Sequence, residues 1–317
     1  MKKSIKFVVI VLAVAFIFGM NINSAKAVTL TVDLGTATPF AILAGTPAIT
    51  ESGAHTSSVT GNVGLSPRTA ADIGLYCSQV DGTIYGVNAA YVGDGGLNAC
   101  FAGNPPLSNK TIVDNAKLDL TAAYLDAAGR TPVTTIDTEL GGQLLTPGVY
   151  TSASTAFQIS APNPLILDAQ GDASAVFIFE GSDEEAGTLT VGPGSEVELR
   201  GSAQACNVFW RVYGASINTT AVFKGSILAL TSITVADGAN IEGRLLAQTG
   251  QVTLINDTVT VPICKAPEIT TPTSSVTELP QTGSVTSKSS IPWYMVIPVG
   301  IIAISIFLYF ARRKQIA

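Results

Sequence analysis

Few residues of this chain combine the types and spacing that catalysis needs. His55 is the only histidine, so a Ser-His-Asp triad would have to use it and an HExxH zinc site is excluded. Carboxylates are grouped at residues 183–185, in a Gly-flanked loop that could hold calcium or be simply solvated, and at Asp168 and Asp172, which flank a turn. Paired carboxylates can hydrolyse polysaccharides, but no exposed aromatic rows line a sugar groove. The sequence therefore predicts no enzyme, no metal site and no cofactor.

The elements that would have to position any site repeat along the chain. Two columns of apolar residues recur every 18 residues between positions 208 and 263, namely Phe209, Ile227 and Leu245, and Phe223, Ile241 and Val259. Short apolar segments separated by turn residues fall in each period. This pattern is typical of a chain that winds into coils whose strands stack in parallel. The sequence predicts an all-β dominated fold, a parallel β-solenoid (β-helix) of three faces.

The first face requires a covering element. Alternate side chains of a strand point to opposite sides, and Arg211 cannot be buried without a partner, so it marks the outer side. The predicted inner residues are Trp210, Val212, Leu228, Leu230 and Leu246, and the predicted outer residues are Phe209, Ile227, Ala229, Leu245 and Ala247. A face that is apolar on both sides must be covered by another element.

The second face differs because its predicted outer row carries no charge. Its predicted inner residues are Leu189, Val191, Ile217, Ile233, Val235, Val252 and Leu254. Its predicted outer residues are Thr188, Thr190, Ser216, Asn218, Thr234, Ala236 and Thr253. The third face directs Glu196, Glu198, Lys224 and Glu242 outward, so it is expected to be the solvated side.

A long helical pattern over 108–129 supplies the cover for the first face. Ser108 is the expected N-cap and Gly129 ends the pattern. At about 1.5 Å per residue the helix is about 30 Å long, enough to cross about six coils stacked roughly 4.8 Å apart. The apolar residues that recur at three- and four-residue steps are Val113, Ala116, Leu120, Ala123, Tyr124 and Ala127.

The cysteines are interpreted from their positions among the coils. Short strands broken by Gly, Pro and Ser at 28–107 look like one more coil, with Cys77 and Cys100 in a Gly- and Asn-rich excursion. These two cysteines are disulfide candidates in an exported protein. Cys206 and Cys264 fall three coils apart, too far for a disulfide unless the chain after Val261 leaves the stack and turns back.

Targeting signals flank the predicted domain at 28–264. Residues 1–27 combine a basic start, an apolar run and an Ala-Lys-Ala exit, which predicts a secretory signal peptide, with an N-terminal membrane anchor as the alternative. A Pro-, Thr- and Ser-rich linker at 265–290 precedes an uncharged stretch at 291–310, long enough for a transmembrane helix, and a basic cytoplasmic tail at 311–317.

The linker contains the pentapeptide LPQTG at 279–283, which resembles the LPXTG sorting signal of proteins that sortases attach to bacterial cell walls. The resemblance implies that the predicted transmembrane helix first retains the chain in the membrane. A sortase then cleaves between Thr282 and Gly283 and attaches the chain to peptidoglycan. The alternative is a chance pentapeptide before a plain membrane anchor. In either case the protein is expected to be exported and anchored at the cell surface.

The net charge excludes one class of partner. Removal of 1–27 and of the residues beyond 283 leaves 9 of the 17 basic residues and all 23 acidic ones, a net charge of −14. Such a surface repels nucleic acid. The predicted domain at 28–264, roughly 235 residues, is long enough for one elongated domain.

Eight segments carry a family resemblance: LGTA at 34–37, FAILAG at 40–45, GNVGLSP at 61–67, AAYLDAA at 122–128, LTPGVY at 145–150, LDAQGD at 167–172, ACNVFW at 205–210 and GSILALTSI at 225–233. Together they resemble the secreted ice-binding proteins of bacteria, fungi and algae. The resemblance covers nearly all of 28–264, and it implies a right-handed, irregular solenoid with the N-terminal coil beside the C-terminal one and the helix alongside. It also implies adsorption to ice through one flat face, without catalysis.

The uncharged second face is the candidate ice-binding surface. Rows of small residues about 7 Å apart along strands and about 4.8 Å apart between them offer methyl and hydroxyl groups that can hold ice-like water, whereas charged groups hydrate too strongly. The alternatives are ordinary exposed strand threonines on a wall-anchored adhesin that binds a glycan, another cell or itself, or a polysaccharide-active enzyme. The candidate residues are Thr188, Thr190, Ser216, Asn218, Thr234 and Thr253.

Overall fold

The computed structural model describes residues 29–93, 99–102 and 106–265, and in these ranges the strands form three parallel sheets beside one long helix. Sheet A contains β1 (Phe40–Ala44), β3 (Ser58–Thr60), β4 (Asn62–Leu65), β5 (Val80–Asp81), β6 (Ile84–Gly86), β7 (Val133–Ile136), β9 (Gly148–Ser152), β12 (Phe177–Glu180), β15 (Val208–Val212), β17 (Val222–Ala229), β19 (Asn240–Ala247) and β21 (Thr258–Thr260). Sheet B contains β2 (Ile49–Glu51), β10 (Phe157–Ile159), β13 (Leu189–Val191), β16 (Ala215–Ile217), β18 (Ile233–Val235) and β20 (Val252–Leu254). Sheet C contains β8 (Leu144–Leu145), β11 (Leu165–Asp168) and β14 (Val197–Arg200). Helix α1 spans Pro106–Ala128, and short 3₁₀ turns lie at Gly35–Ala37, Ala70–Asp72, Cys77–Gln79 and Ala205–Asn207.

The chain passes from sheet A to sheet B and then to the sheet C side in each turn, which is the predicted three-sided solenoid. The first coil stacks on the last one, because β1, β2 and β3 pair in parallel with β19, β20 and β21. Ile42 lies opposite Leu245, for example, and Ile49 lies opposite Val252. This closure is the one that the family resemblance implies, while the right hand of the winding stays a prediction.

The register of the first face departs from a constant period. Trp210 lies opposite Ile227, 17 residues later, whereas Ile227 lies opposite Leu245, 18 residues later. The corner between sheets A and B has two residues after β15 but three after β17, which shifts the alternation by one. The inner positions of Trp210 and Val212 and the outer position of Phe209 are confirmed. The prediction was wrong for Ile227, Ala229, Leu245 and Ala247, which point into the core, and for Leu228, Leu230 and Leu246, which point outward beneath α1.

The second and third faces keep the predicted alternation. Every predicted inner residue of the second face is buried in the main core. On the third face Glu196 is exposed and the other three charged residues are half-buried, with Lys224 Nζ 2.8 Å from a carboxylate oxygen of Glu242. The third-face segments at 222–224 and 240–242 are the first halves of β17 and β19, which bend into sheet A at Gly225 and Gly243. A Cβ at position 243 would lie 1.9 Å from the carbonyl oxygen of Gly225, so only glycine fits there.

Helix α1 covers the outer side of sheet A, as the apolar outer row requires. The six apolar residues predicted from its periodicity are all buried, against outward residues such as Ile178, Phe209 and Leu228. The helix begins at Pro106, two residues before the expected N-cap. Lys117 reaches from α1 to the end of β19 and donates to the carbonyl oxygens of Ala247, at 2.6 Å, and Gln248. Burial lowers the pKa of Lys117 to about 7.

Arg211 is buried rather than exposed, because α1 and the connection at 181–188 supply its partners. Its guanidinium carbon lies 4.3 Å from the centre of the Tyr124 ring, and the guanidinium also bonds Asp183 and the Gly181 carbonyl. The Tyr124 hydroxyl donates to Asp183 at 2.8 Å. The acidic loop at 183–185 therefore joins the helix to the solenoid through its first residue.

Disulfides join Cys77 to Cys100 and Cys206 to Cys264. The second pair forms because the chain after Val261 does leave the stack and turn back, the exception that the sequence left open. The predicted segments at 1–27, 279–283, 291–310 and 311–317 lie outside the described residues. No helix in the part of the chain that is described has the length and apolar character to cross a membrane.

Candidate functional site

Sheet B directs one row of uncharged polar side chains outward. In most of its strands a buried residue stands on each side of one outward residue. Neighbouring parallel strands lie about 4.8 Å apart, so six residues in register extend for roughly 24 Å. The parallel pairing places opposite one another, in this order, Gln158, Thr190, Ser216, Thr234, Thr253 and Thr50.

The residues directly before and after the strands of this row are uncharged as well. A charge adjoins one end of the row, where the exposed Glu139 pairs with Gln158 and accepts the N–H of Ser160 at 2.9 Å. We call face B the outer surface formed by the row and by the residues directly before and after its strands. The nearest acid that follows it, Asp237, lies in the next corner and accepts a bond from the Asn256 amide at 2.9 Å. The bordering residues are Ala48, Ala156, Thr188, Gly214, Ser232 and Gln251 on one side, and Ser52, Ser160, Gly192, Asn218, Ala236 and Ile255 on the other.

Four of the six residues predicted for the site lie in the row itself. Thr190 and Thr234 are exposed, and Ser216 and Thr253 are half-buried between neighbouring strands. Thr188 and Asn218 border the row instead. The side-chain amide of Asn218 donates to the Val191 carbonyl at 2.8 Å, which holds this side chain against the backbone.

The two ends of the row, Gln158 and Thr50, were not predicted. Gln158 stands between two buried residues in β10, the same alternation that marked the other strands, so the sequence did carry a signal for it. Thr50 accompanies the closure of the first coil on the last, and its hydroxyl donates to that of Thr253 at 3.0 Å. The sequence shows no apolar–polar–apolar pattern around Thr50, because the inner position that follows it holds the charged residue Glu51.

Glu51 points into the solenoid, opposite Leu254 of the adjoining strand. Its carboxylate accepts a bond from Ser57 at 3.1 Å and lies 2.9 Å from His55 Nδ1, and its side chain is fully buried. The His55 ring stacks on Tyr76 with the ring centres 4.1 Å apart. The single histidine therefore covers a buried carboxylate, which is a structural pairing rather than part of a triad.

A second carboxylate near the edge of face B also points inward. Asp257 accepts the N–H groups of Ala239, at 2.9 Å, and Ile255, at 2.7 Å. Burial raises the pKa of Asp257 to about 6, against the opposing effect of these two donors. Both acids beside the last coils thus bond inward, and neither interrupts the uncharged row.

Aromatic side chains support the row from inside. Trp210 stacks on Phe179 with ring centres 3.8 Å apart, and Phe157, directly beside Gln158, meets both rings edge-on. Close packing of rigid rings leaves the strands little freedom to buckle. The outer residues of sheet B are consequently held in fixed positions.

Asp168 and Asp172, the paired carboxylates noted in the sequence, serve local structure. Asp168 accepts the N–H of Gln170 at 2.8 Å, and Asp172 accepts the N–H of Ser174 at 2.9 Å, so both stabilise the turn that they flank. Glu184 and Glu185 are exposed. Within the described ranges no three His, Cys, Asp or Glu side chains come together in a way that could hold a metal ion.

Comparisons with known proteins agree with this architecture. A sequence model of the family described as ice-binding-like matches residues 42–260. An ice-binding protein of a Colwellia species is 38% identical over 261 residues, which cover 81% of this chain and 93% of that protein. An ice-binding protein of Flavobacterium frigoris is 37% identical over 235 residues, which cover 73% of this chain and 76% of that protein.

Solved structures show the same fold. An ice-binding protein from an Antarctic biological consortium is 36% identical, with a TM-score of 0.61 over 77% of this chain and 97% of that one. A domain of ice-binding protein 1 from Shewanella frigidimarina is 29% identical, with a TM-score of 0.63 over 74% of this chain and 98% of that one. The family match, the identities and the shared parallel sheets with one helix agree, and the chain belongs to the ice-binding-like family.

Proposed function

We propose that this protein adsorbs to ice through face B. The observation that carries the proposal is the uncharged row of six outward residues, which runs the length of sheet B with uncharged borders. Repeated strands set the spacing between neighbouring hydroxyl and methyl groups at about 4.8 Å. Such groups can hold a layer of ordered water without the strong hydration that a charge imposes.

The other two sides are less suited to ice. The outer side of sheet A is covered by α1. The sheet C side exposes charged residues and an ion pair between Lys224 and Glu242. The curated relatives are ice-binding proteins rather than enzymes, in keeping with a function that needs a surface and not a catalytic centre.

The experiment introduces a bulky residue on face B and a matched one elsewhere. Thr234→Tyr in purified 28–265 raises a ring above the centre of the row and should reduce thermal hysteresis and ice shaping several-fold. Thr258→Tyr is the control, because Thr258 is also an exposed strand threonine but lies in β21 of sheet A. Circular dichroism should show both variants folded. Equal ice activity in the two variants, at whatever level, would contradict the assignment of face B.

We also propose that the chain is exported and attached to the cell wall. The predicted signal peptide, the LPQTG pentapeptide and the apolar stretch with its basic tail support this proposal, and so do two disulfides, which persist in oxidising compartments. Thr282→Ala should move the full chain from the wall fraction to the membrane fraction of a sortase-containing host. Wall attachment that is unaffected by the substitution would rule out sorting at this site.

A further inference from the structure

Residues 261–265 form a strap that turns back from the last strand. Val261 still donates its N–H to the Thr60 carbonyl at 3.0 Å, but the residues after it leave the stack. Cys264 is disulfide-bonded to Cys206. Lys265 donates its N–H to Gln204 Oε1 at 2.6 Å and accepts a bond from Gln204 Nε2 at 3.0 Å. The strap therefore ends on residues that precede β15.

The strap ends on the corner of the solenoid that faces away from face B. In sheet A the strands β21, β19, β17 and β15 are consecutive neighbours, so the strap spans three inter-strand steps, about 14 Å. Residues 204–207 connect β14 of sheet C to β15 of sheet A, so they form the corner between these two sheets. In a three-sided coil this corner is opposite sheet B. A linker that continues from Lys265 does not have to pass over face B.

The strap also changes which strand takes a pull on the linker. Without it, the pull would act on β21, a strand of three residues that holds the first coil to the last through β3 and β19. Through the disulfide the pull acts next to β15, whose five residues are all buried and paired on both sides with β12 and β17. Gln204 and Asn207 fix the same corner, since both donate to the Ala173 carbonyl, at 2.7 and 3.3 Å.

We propose that this protein is an ice adhesin that stays bound to ice while its linker is under tension. The Cys206–Cys264 bond of the strap transmits the pull from the linker to the interior of the solenoid. The proposal rests on ice binding by face B and adds a function to it. A freely diffusing inhibitor of ice growth experiences no pull at its C-terminal end. A chain tethered through 265–290 experiences one whenever the tethered body is dragged past ice.

The test couples 28–283 to micrometre beads through a biotinylated peptide placed after Gly283. The solved relative from the Antarctic consortium consists almost wholly of this domain, with 97% of its chain matched, so the domain is suitable for isolated study. Beads are bound to ice in a cooled flow channel and the flow is raised until they detach. The strap variant is Cys206→Ser with Cys264→Ser, and the matched control, which removes the disulfide outside the path of the pull, is Cys77→Ser with Cys100→Ser.

Wild type and control should detach at similar flow, and the strap variant at several-fold weaker flow, while thermal hysteresis of the uncoupled strap variant stays at the wild-type level. Detachment of the strap variant at wild-type flow would overturn the proposal. Should the strap variant lose free ice activity through misfolding, beads carrying the Cys77→Ser, Cys100→Ser control are compared before and after mild reduction, and unchanged detachment then overturns it. Failure of ice binding itself is distinguishable, because wild type would then show neither hysteresis nor bead attachment.

Discussion

Alanine at position 243 should destabilise the fold far more than alanine at Gly171, a glycine with open space around it. The added Cβ would lie 1.9 Å from the carbonyl oxygen of Gly225, on the adjoining coil. Contacts of this kind need at least about 3.0 Å, so the two coils would have to separate locally by at least about 1.1 Å. The shift would fall in the middle of the eight-residue pairing of β17 with β19, where it disrupts ladder hydrogen bonds as well as packing.

Overpacking costs about 1–3 kcal/mol and each lost ladder bond about 1 kcal/mol, which gives about 4 kcal/mol for Gly243→Ala. For a domain of this size that loss lowers Tm by roughly 8–16 °C. The control is Gly171→Ala, where φ is +91° but nothing lies within 4 Å of the added Cβ, so the cost is the backbone strain alone, about 1 kcal/mol. Thermal unfolding followed by circular dichroism compares the two. Equal Tm values would refute the close stacking of coils at the bend.

Leu228→Ala should lower the free energy of unfolding by about 3 kcal/mol, because Leu228 is fully buried between sheet A and α1. Leu125→Ala, at a position of α1 that is 63% exposed, should cost under about 1 kcal/mol, and a comparable loss for both variants in urea denaturation would contradict the burial of Leu228. Lys117→Met should remove a rise in stability with pH. Burial lowers the pKa of Lys117 from 10.5 to about 7, so between these values the unfolded chain binds a proton that the folded chain has released, and wild-type stability rises with pH. Denaturant unfolding at pH 7, 9 and 10.5 tests this, and parallel pH profiles of the two proteins would count against it.

The features that the sequence predicted are those that a short stretch of chain determines. Alternation of apolar and polar residues is a local property, and it was sufficient to assign the inner residues of sheet B and the buried side of α1. The wrong assignments on the first face have one cause, the corner between sheets A and B. This corner has two residues between β15 and β16 but three between β17 and β18. An alignment that assumes a constant corner length therefore exchanges the inner and outer residues of the strand before it.

The features that were missed depend on contacts between distant parts of the chain. Thr50 completes the row only because the first coil stacks on the last one, and its hydroxyl partner Thr253 is 203 residues away. The predicted separation of Cys206 and Cys264 assumed that the chain continues to coil up to Cys264. The two cysteines meet because the strap leaves the coils and turns back. The sequence identified Arg211 as an outer residue but not as a buried one. Its partner Tyr124 lies on α1, and the sequence does not reveal which helix residues face which coil.

The flatness of face B follows from where the solenoid places its longer connections. The corners that lead into β16, β18 and β20 contain two, three and four residues, too few to rise above the sheet. The longer connection from β12 to β13, eight residues at 181–188, bonds through Asp183 to Tyr124 of α1 and so is drawn toward the covered side of sheet A. The strap lies on the opposite corner. These two irregular segments are therefore tied to sides that ice does not need to reach. Because the ties are made by side chains outside sheet B, the row on face B can vary in composition without loss of the surface that presents it.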